Sequence, residues 1–315
     1  MTPAQGKKAA PGWRAGRGTE GLQEPPFYPV EAFREAMTSA GLPAPERIEA
    51  DGLLHRFHVE GDRSGTLNGW YVLHTDGRPA GVFGSWKTGL RSTWVANGKR
   101  LNDAEREAFA NLIQAGRIKA QAEQRAKHES NARTAAILWE WAGAANPEHP
   151  YLRAKGVHAH GLRQSGDRLM VPLFDIHGQL WNFQKIMPDG GKRFEPGRAR
   201  ELYSPIGDLT NPTLLLICEG WATGATLYEE FRHPVLCAMN AGNLLPVAKA
   251  ARAAWPAADL MICADNDRKT PGNPGLTAAT VAAKAVGARL AVPQFPEGVS
   301  GTDFNDLANL QRMAR

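Results

Sequence analysis

The chain of 315 residues has only three cysteines, Cys218, Cys237 and Cys263, and no two stand in a CxxC pair. That argues against a disulfide framework and a cysteine zinc ribbon, and it fits a reduced, cytoplasmic protein. No apolar run approaches the ~18 to 20 residues that a membrane span requires. Leu214 to Cys218 is one of the longest such runs. Basic residues near the N-terminus have no apolar stretch behind them, so no secretory signal is visible. A large excess of one charge is missing as well. The 37 Lys and Arg against 32 Asp and Glu leave a net +5, which permits nucleic-acid binding without requiring it. What remains is ordinary globular composition, 43% apolar and 22% charged, in a length that suits about two or three domains.

Residues 1–25 are rich in Gly, Pro, Lys and Arg and are read as a flexible basic tail, with Lys7, Lys8, Arg14 and Arg17 either solvated or touching phosphates. Residues 26–101 form a small N-terminal α+β domain. A short helix over 30–41 ends at Gly41 and Pro43, and two-residue alternation then runs through Leu54, Arg56 and His58, through Trp70, Val72 and His74, and through Val82, Gly84 and Trp86. With turn signals at Asp51-Gly52, Asp76-Gly77 and Asn97-Gly98, this predicts a small antiparallel sheet. Trp70, Tyr71, Trp86 and Trp94 either fill its core, which is the favoured reading, or combine with Arg56, Lys87 and Arg91 as a stacking surface for single strands. Residues 102–146 lack proline until Pro147 and predict a solvent-bridging helical connector, capped by Asn102 or Asp103 and ended by Asn146-Pro147.

Residues 147–207 form a basic α+β unit, with strands over 169–173 and 180–187 and turns at Ile176-His177-Gly178 and Pro188 to Gly191. Nine Lys and Arg face five acids over residues 151–203. From 208 to 315 the rhythm becomes strand, helix, strand. Apolar runs at 214–218, 235–239, 260–263 and 290–292 alternate with helices at 222–231, 247–254 and 276–286. Short continuous runs of this kind predict a parallel sheet with helices on both faces. The fold class is therefore multidomain, α+β followed by α/β.

In such sheets chemistry gathers at the carboxyl ends of the strands. Glu219-Gly220 ends the first run, Asp265-Asn266-Asp267 the third, and Asp303-Phe304-Asn305-Asp306 follows the fourth. Each motif alone reads as a cap or a turn; all three on one rim predict a metal site. Clustered carboxylates repel one another unless a cation relieves them. Oxygen donors without His or Cys suit Mg²⁺ or Mn²⁺, the usual apparatus of phosphoryl transfer. The Gly220 to Gly224 stretch lacks the Lys-Ser/Thr of a P-loop. His55, His58, His74, His158, His160 and His177 show no metal-ligand spacing, and Cys218 and Cys263 read as small core residues.

The segments LLLICEGWATGATLYE (214–229), DLMICADND (259–267) with NPGLTAATVAAKA (273–285), and GTDFNDL (301–307) resemble the Toprim fold shared by bacterial-type primases, type IA and II topoisomerases and some nucleases. The Glu-Gly-Trp-Ala-Thr form and the closing Asp-Phe-Asn-Asp are similar to primases of phages, plasmids and integrative elements. Residues 167–197 resemble the basic subdomain that precedes Toprim in the bacterial replicative primase, and residues 47–100 the zinc-free N-terminal region of mobile-element primases. The resemblance implies that Glu219 binds metal or transfers a proton, that Asp265 and Asp267 hold the catalytic cation, and that Asp303 and Asp306 complete a second metal position. It assigns template or nucleotide contacts to Arg168, Lys185, Lys192 and Arg193, with Arg198 and Lys269 added to that basic set.

The implied activity is Mg²⁺-dependent synthesis of short primers on single-stranded DNA from nucleoside triphosphates. A Toprim nuclease and a non-catalytic single-strand-binding accessory factor are the alternatives. A topoisomerase is disfavoured because none of the five tyrosines has the setting of a DNA nucleophile, Tyr228 falling within the first Toprim helix. No helicase segment is seen, so the chain either stands alone, is a fragment of a larger primase-helicase, or works with a separate helicase.

Overall fold

The computed structural model describes residues 28–76, 78–96 and 103–314. The basic tail, Gly77, the Asn97-Gly98 turn and Asn102 lie outside the described residues. Two compact units divide the chain, one up to Lys119 and one from Ala120 onward.

In the first unit, α1 (Pro29–Ser39) opens with a proline in its first turn, where no backbone N–H is needed. Phe33 and Met37, one helical turn apart, are fully buried against one face of an antiparallel sheet. Its strands run in the order β1 (His55–Phe57), β2 (Gly69–His74), β3 (Ala80–Ser85) and β4 (Arg91–Val95). Phe33 meets Phe83 and Trp94 edge-on, each at 5.5 Å between ring centroids. Trp70 is 3% and Tyr71 2% exposed, and Trp70 stacks on Trp86 at 4.9 Å. Core filling therefore accounts for the aromatic cluster, and Trp70 and Tyr71 present no open face for a base.

Helix α2 (Asp103–Trp141) runs unbroken for 39 residues and passes from the first unit into the second. It stops before the expected Asn146-Pro147 boundary because Gly143–Ala144 is recruited as a strand, β5. In the second unit α3 (Pro150–Lys155) follows, and then β6 (Arg163–Ser165), β7 (Arg168–Phe174), β8 (Leu180–Ile186) and β9 (Lys192–Phe194). These strands form an antiparallel sheet in the order β5-β6-β7-β8-β9. β7 is apolar on both faces for a structural reason. Leu169 and Val171 join the core shared with Trp221 and Leu216, whereas Met170 and Phe183 pack on Ala135 of α2.

The last sheet has the order β10-β12-β11-β13-β14. β10 (Ser204–Ile206) is antiparallel to β12 (Val235–Cys237). β11 (Leu214–Cys218), β12, β13 (Asp259–Cys263) and β14 (Arg289–Ala291) run parallel. Leu215, Ile217, Leu260 and Ile262 point to one face, under α5 (Ala241–Ala254) and α6 (Pro274–Val286). Leu216, Cys218 and Cys263 point to the other, under α4 (Trp221–Phe231) and Phe304 of α7 (Phe304–Met313). Burial on both faces is what makes these strands continuous apolar runs. The sheet is mixed rather than purely parallel, since the short, proline-containing β10 adds an antiparallel edge. No helix among the described residues is long and apolar enough to cross a membrane.

Gly224 sits where α4 presses onto β11 and β12. A Cβ there would overlap Cys237 Sγ and lie 3.2 Å from Cys218 Sγ. Alanine gains about 1 kcal/mol of helix propensity over glycine, but overpacking a filled core costs about 1–3 kcal/mol. With both sulfurs on fully buried strands, overpacking wins. Gly224→Ala is expected to lose up to about 2 kcal/mol net, read as a lower urea midpoint at unchanged slope.

Candidate active site

Register brings the acids together. Cys218 of β11 is level with Cys263 of β13, so Glu219 and Asp265 leave adjacent parallel strands at the same rim. The Asp-Asn-Asp motif is held by its middle residue. Asn266 is buried, donates its backbone N–H to Thr302 O (2.6 Å) and its amide to Pro293 O (3.3 Å), and accepts from Asn273 Nδ2 (2.9 Å). The Asp267 N–H in turn donates to Asn273 Oδ1 (2.8 Å). With Asn266 anchored, its two neighbours are left for the rim. Gly275, in the first turn of α6, is required here: a Cβ would stand 3.0 Å from Asp265 Cβ and 3.1 Å from an Asp267 carboxylate oxygen.

The electrostatics are those of a site built for positive charge. Burial pushes the Asp265 carboxyl up to about 8, and Glu219, Asp303 and Asp267 add to the shift. Burial, then Asp267, also raises Glu219, against which the Ala241 N–H and Lys192 act. Asp265 Oδ1 is buried and accepts no hydrogen bond from the described residues. A cation would relieve an unpartnered buried carboxylate oxygen among repelling acids. The all-oxygen donor set fits a hard divalent ion.

Asp303 caps α7, its Oδ1 accepting the Asp306 N–H (2.8 Å) and its Oδ2 the Thr223 hydroxyl (3.1 Å), while its charge still reaches Asp265 and Glu219. Asp306 is engaged elsewhere. Its carboxylate accepts from the Thr302 N–H (3.0 Å) and stands 3.9 Å from Lys155 Nζ.

Among the six basic candidates, Lys192 differs. Its Nζ lies 5.7 Å from the Tyr151 ring centroid. Desolvation, then Lys155, lowers its pKa, while Asp303, Asp265 and Glu219 pull it upward. The residue as a whole is exposed, while its ammonium, beside the Tyr151 ring, is partly desolvated and feels the acidic rim. Lys185 pairs with Glu195 (2.8 Å), and Arg193 lies opposite it across β8 and β9. Arg168 stands by Asp167 (3.5 Å), and Arg198 lies over Trp181 (5.1 Å). Lys269 donates to Ser300 Oγ (3.0 Å) in a 740 Å³ cleft that Asp267 and Asp306 also line.

Sequence reasoning missed Asn266, Asn273, Gly275 and Thr223, which orient the acids without being charged. It also missed a histidine cluster. Contrary to the expectation of no ligand spacing, His158 and His160 converge on Glu229, because a loop and a helix about 70 residues apart meet there.

Residues 214–312 match the family model of the Toprim domain. A DNA primase TraC of Escherichia coli is 36% identical over 291 residues, covering 88% of this chain and 27% of that protein. Another protein of the same name and organism is 36% identical over 294 residues, covering 87% and 20%. The chain thus spans about a quarter or less of the length of these curated relatives. Among solved structures, the primase fragment of the bacteriophage T7 primase-helicase aligns over 55% of this chain and 76% of its own, at 13% identity and a TM-score of 0.41. The zinc-binding and RNA polymerase domains of the Aquifex aeolicus primase align over 90% and 84%, at 12% identity and a TM-score of 0.36. With its acids at the strand ends and its sequence over 214–312, the C-terminal third of the chain matches the Toprim domain, in a chain similar along most of its length to DNA primase TraC.

Proposed function

We propose that the chain is the catalytic part of a DNA primase, joining nucleoside triphosphates into short primers on single-stranded DNA with Mg²⁺ or Mn²⁺. The observation that carries this reading is the coupling of Lys192, from the basic sheet, to Asp265, Glu219 and Asp303 of the Toprim rim. It supports a cation for phosphates acting together with a carboxylate cluster for a metal, the pairing that nucleotidyl transfer needs and template binding alone does not.

Asp265 and Asp267 would hold the divalent ion, with Asp303 as a further donor. Bound there, the ion would lower the pKa of the attacking 3′-hydroxyl and offset charge on the α-phosphate and leaving pyrophosphate. Glu219, whose affinity for a proton is raised by burial, would accept the hydroxyl proton on its carboxylate. Lys192 would grip the triphosphate, and the exposed Arg168 and Arg193 would steer the template backbone. Asn266 and Asn273 keep Asp265 and Asp267 aimed while charge moves. Asp306, held by Thr302 and Lys155, would position the loop before α7 rather than bind metal.

Incubation with single-stranded template, labelled nucleotides and Mg²⁺ tests the reading. New oligonucleotides are expected. A shortened template would mean a nuclease instead, and an intact template with a mobility shift alone would mean a binding factor. Adding a helicase to the same reaction tests the separate-helicase proposal through stimulation of synthesis on duplex templates.

A further inference from the structure

Near the C-terminal end of α4, Glu229 is crowded on one oxygen. Its Oε1 accepts the His158 backbone N–H (2.8 Å) and also lies 3.2 Å from His158 Nδ1 and 2.6 Å from His160 Nε2. A carboxylate oxygen has two lone pairs, yet three donors would point at this one. Meanwhile, among the described residues, Oε2 has only Arg312 Nη2, at 4.0 Å. As a hydrogen-bond network this is unbalanced. The two imidazoles can instead present lone pairs to a cation held jointly with Oε1, once His160 Nε2 moves back from its present 2.6 Å to ligand spacing. The three ligand atoms lie within 4.8 Å of one another. His160 reaches its position with φ at +40°, an unfavourable backbone for a non-glycine residue. His158 is 85% exposed, which leaves an open side for water.

We propose that His158, His160 and Glu229 form a transition-metal site of the zinc class, separate from the acidic rim. Two nitrogens and one carboxylate oxygen suit Zn²⁺, or Co²⁺ as its probe, and do not suit Mg²⁺. The site ties the loop between α3 and β6 to α4, and Arg312, which also donates to Gly156 O (2.7 Å), brings α7 into the same knot. Its metal would staple the basic sheet's loop to the helix that begins directly after Glu219-Gly220.

The test titrates the full chain with Zn²⁺ alone, by calorimetry under excess Mg²⁺, and repeats it with Co²⁺, whose visible absorption is far stronger with nitrogen ligands in a low-coordinate site than with oxygen in an octahedral one. One equivalent of tight binding is expected, retained in Asp265→Ala and weakened by more than about 100-fold in Glu229→Gln and His160→Ala. His158→Gln, at an exposed side chain, keeps the fold and should lose the Co²⁺ absorption. The proposal falls if the wild type takes up no Zn²⁺, if His158→Gln binds as the wild type does, or if Asp265→Ala abolishes binding.

Discussion

Asp265→Ala is expected to lower primer synthesis by about 10³-fold or more while single-strand binding persists. Removing one preorganised electrostatic group typically costs 10²–10³ in rate, and on the proposed reading the lost group also anchors the cation. Asp265 is the best candidate of the five acids because its Oδ1 is buried without a partner and its carboxyl is pushed up to about 8. Both features are costly in the metal-free fold, and both are relieved by a divalent ion. The same facts predict how stability depends on pH. Since the folded pKa of about 8 exceeds the ordinary 3.8, the metal-free fold binds a proton that the unfolded chain releases. Its contribution is fully present below about pH 4 and is lost as pH rises through about 8. Denaturant midpoints in chelator should therefore fall between pH 5 and pH 8.5. The isosteric Asp265→Asn should flatten that fall, and saturating Mg²⁺ should flatten it in the wild type. A wild-type slope that Asn leaves unchanged would remove Asp265 from the centre of the site.

Much of this site was legible because it rests on a few long-lived rules. Apolar runs at 214–218 and 260–263 could only be strands buried on both faces, and parallel strands put Glu219 and Asp265 on one rim whatever the loops do. What escaped notice has physical causes. α5 begins at Ala241, six residues before the expected start, because Asn243 and Pro246 read as loop formers. In the fold Asn243 is buried and its amide binds Leu202 O and Ala238 O (both 2.8 Å), compensating for a poor helix residue. β10 is three residues with a central proline, too short for any periodicity. α7 went unnamed although FNDLANLQRM is amphipathic, because the segment is polar on average; its Asp303 cap starts it. The His158, His160 and Glu229 cluster depends on a tertiary meeting that no local spacing encodes. Unit boundaries fared similarly. Helix propensity marked 102–146 as one connector, yet its C-terminal turns supply Ala135 to the basic sheet's core, and Gly143–Ala144 is a strand of that sheet.

Lys192→Ala is expected to lower kcat/KM for nucleotides by about 10²-fold, with little change in stability because the residue is exposed. Lys192→Arg should retain most activity, since a permanent cation still meets the phosphates. The two variants differ most usefully in their pH profiles. Desolvation and Lys155 hold the Lys192 pKa below the ordinary lysine value of 10.5. Its charge, and the activity that depends on it, is lost as pH rises through that lowered value. The alkaline limb of the wild-type kcat/KM profile should therefore fall earlier than an ordinary lysine would allow, and arginine should move it upward, because a guanidinium does not deprotonate in this range. Lys185 supplies the contrast. It is already paired with Glu195 at 2.8 Å, so Lys185→Ala should leave the limb where it is. A limb that stays in place in Lys192→Arg would assign it to another group and return Lys192 to the solvated surface. A limb that moves would make one ammonium the physical link between the basic sheet and the Toprim acids.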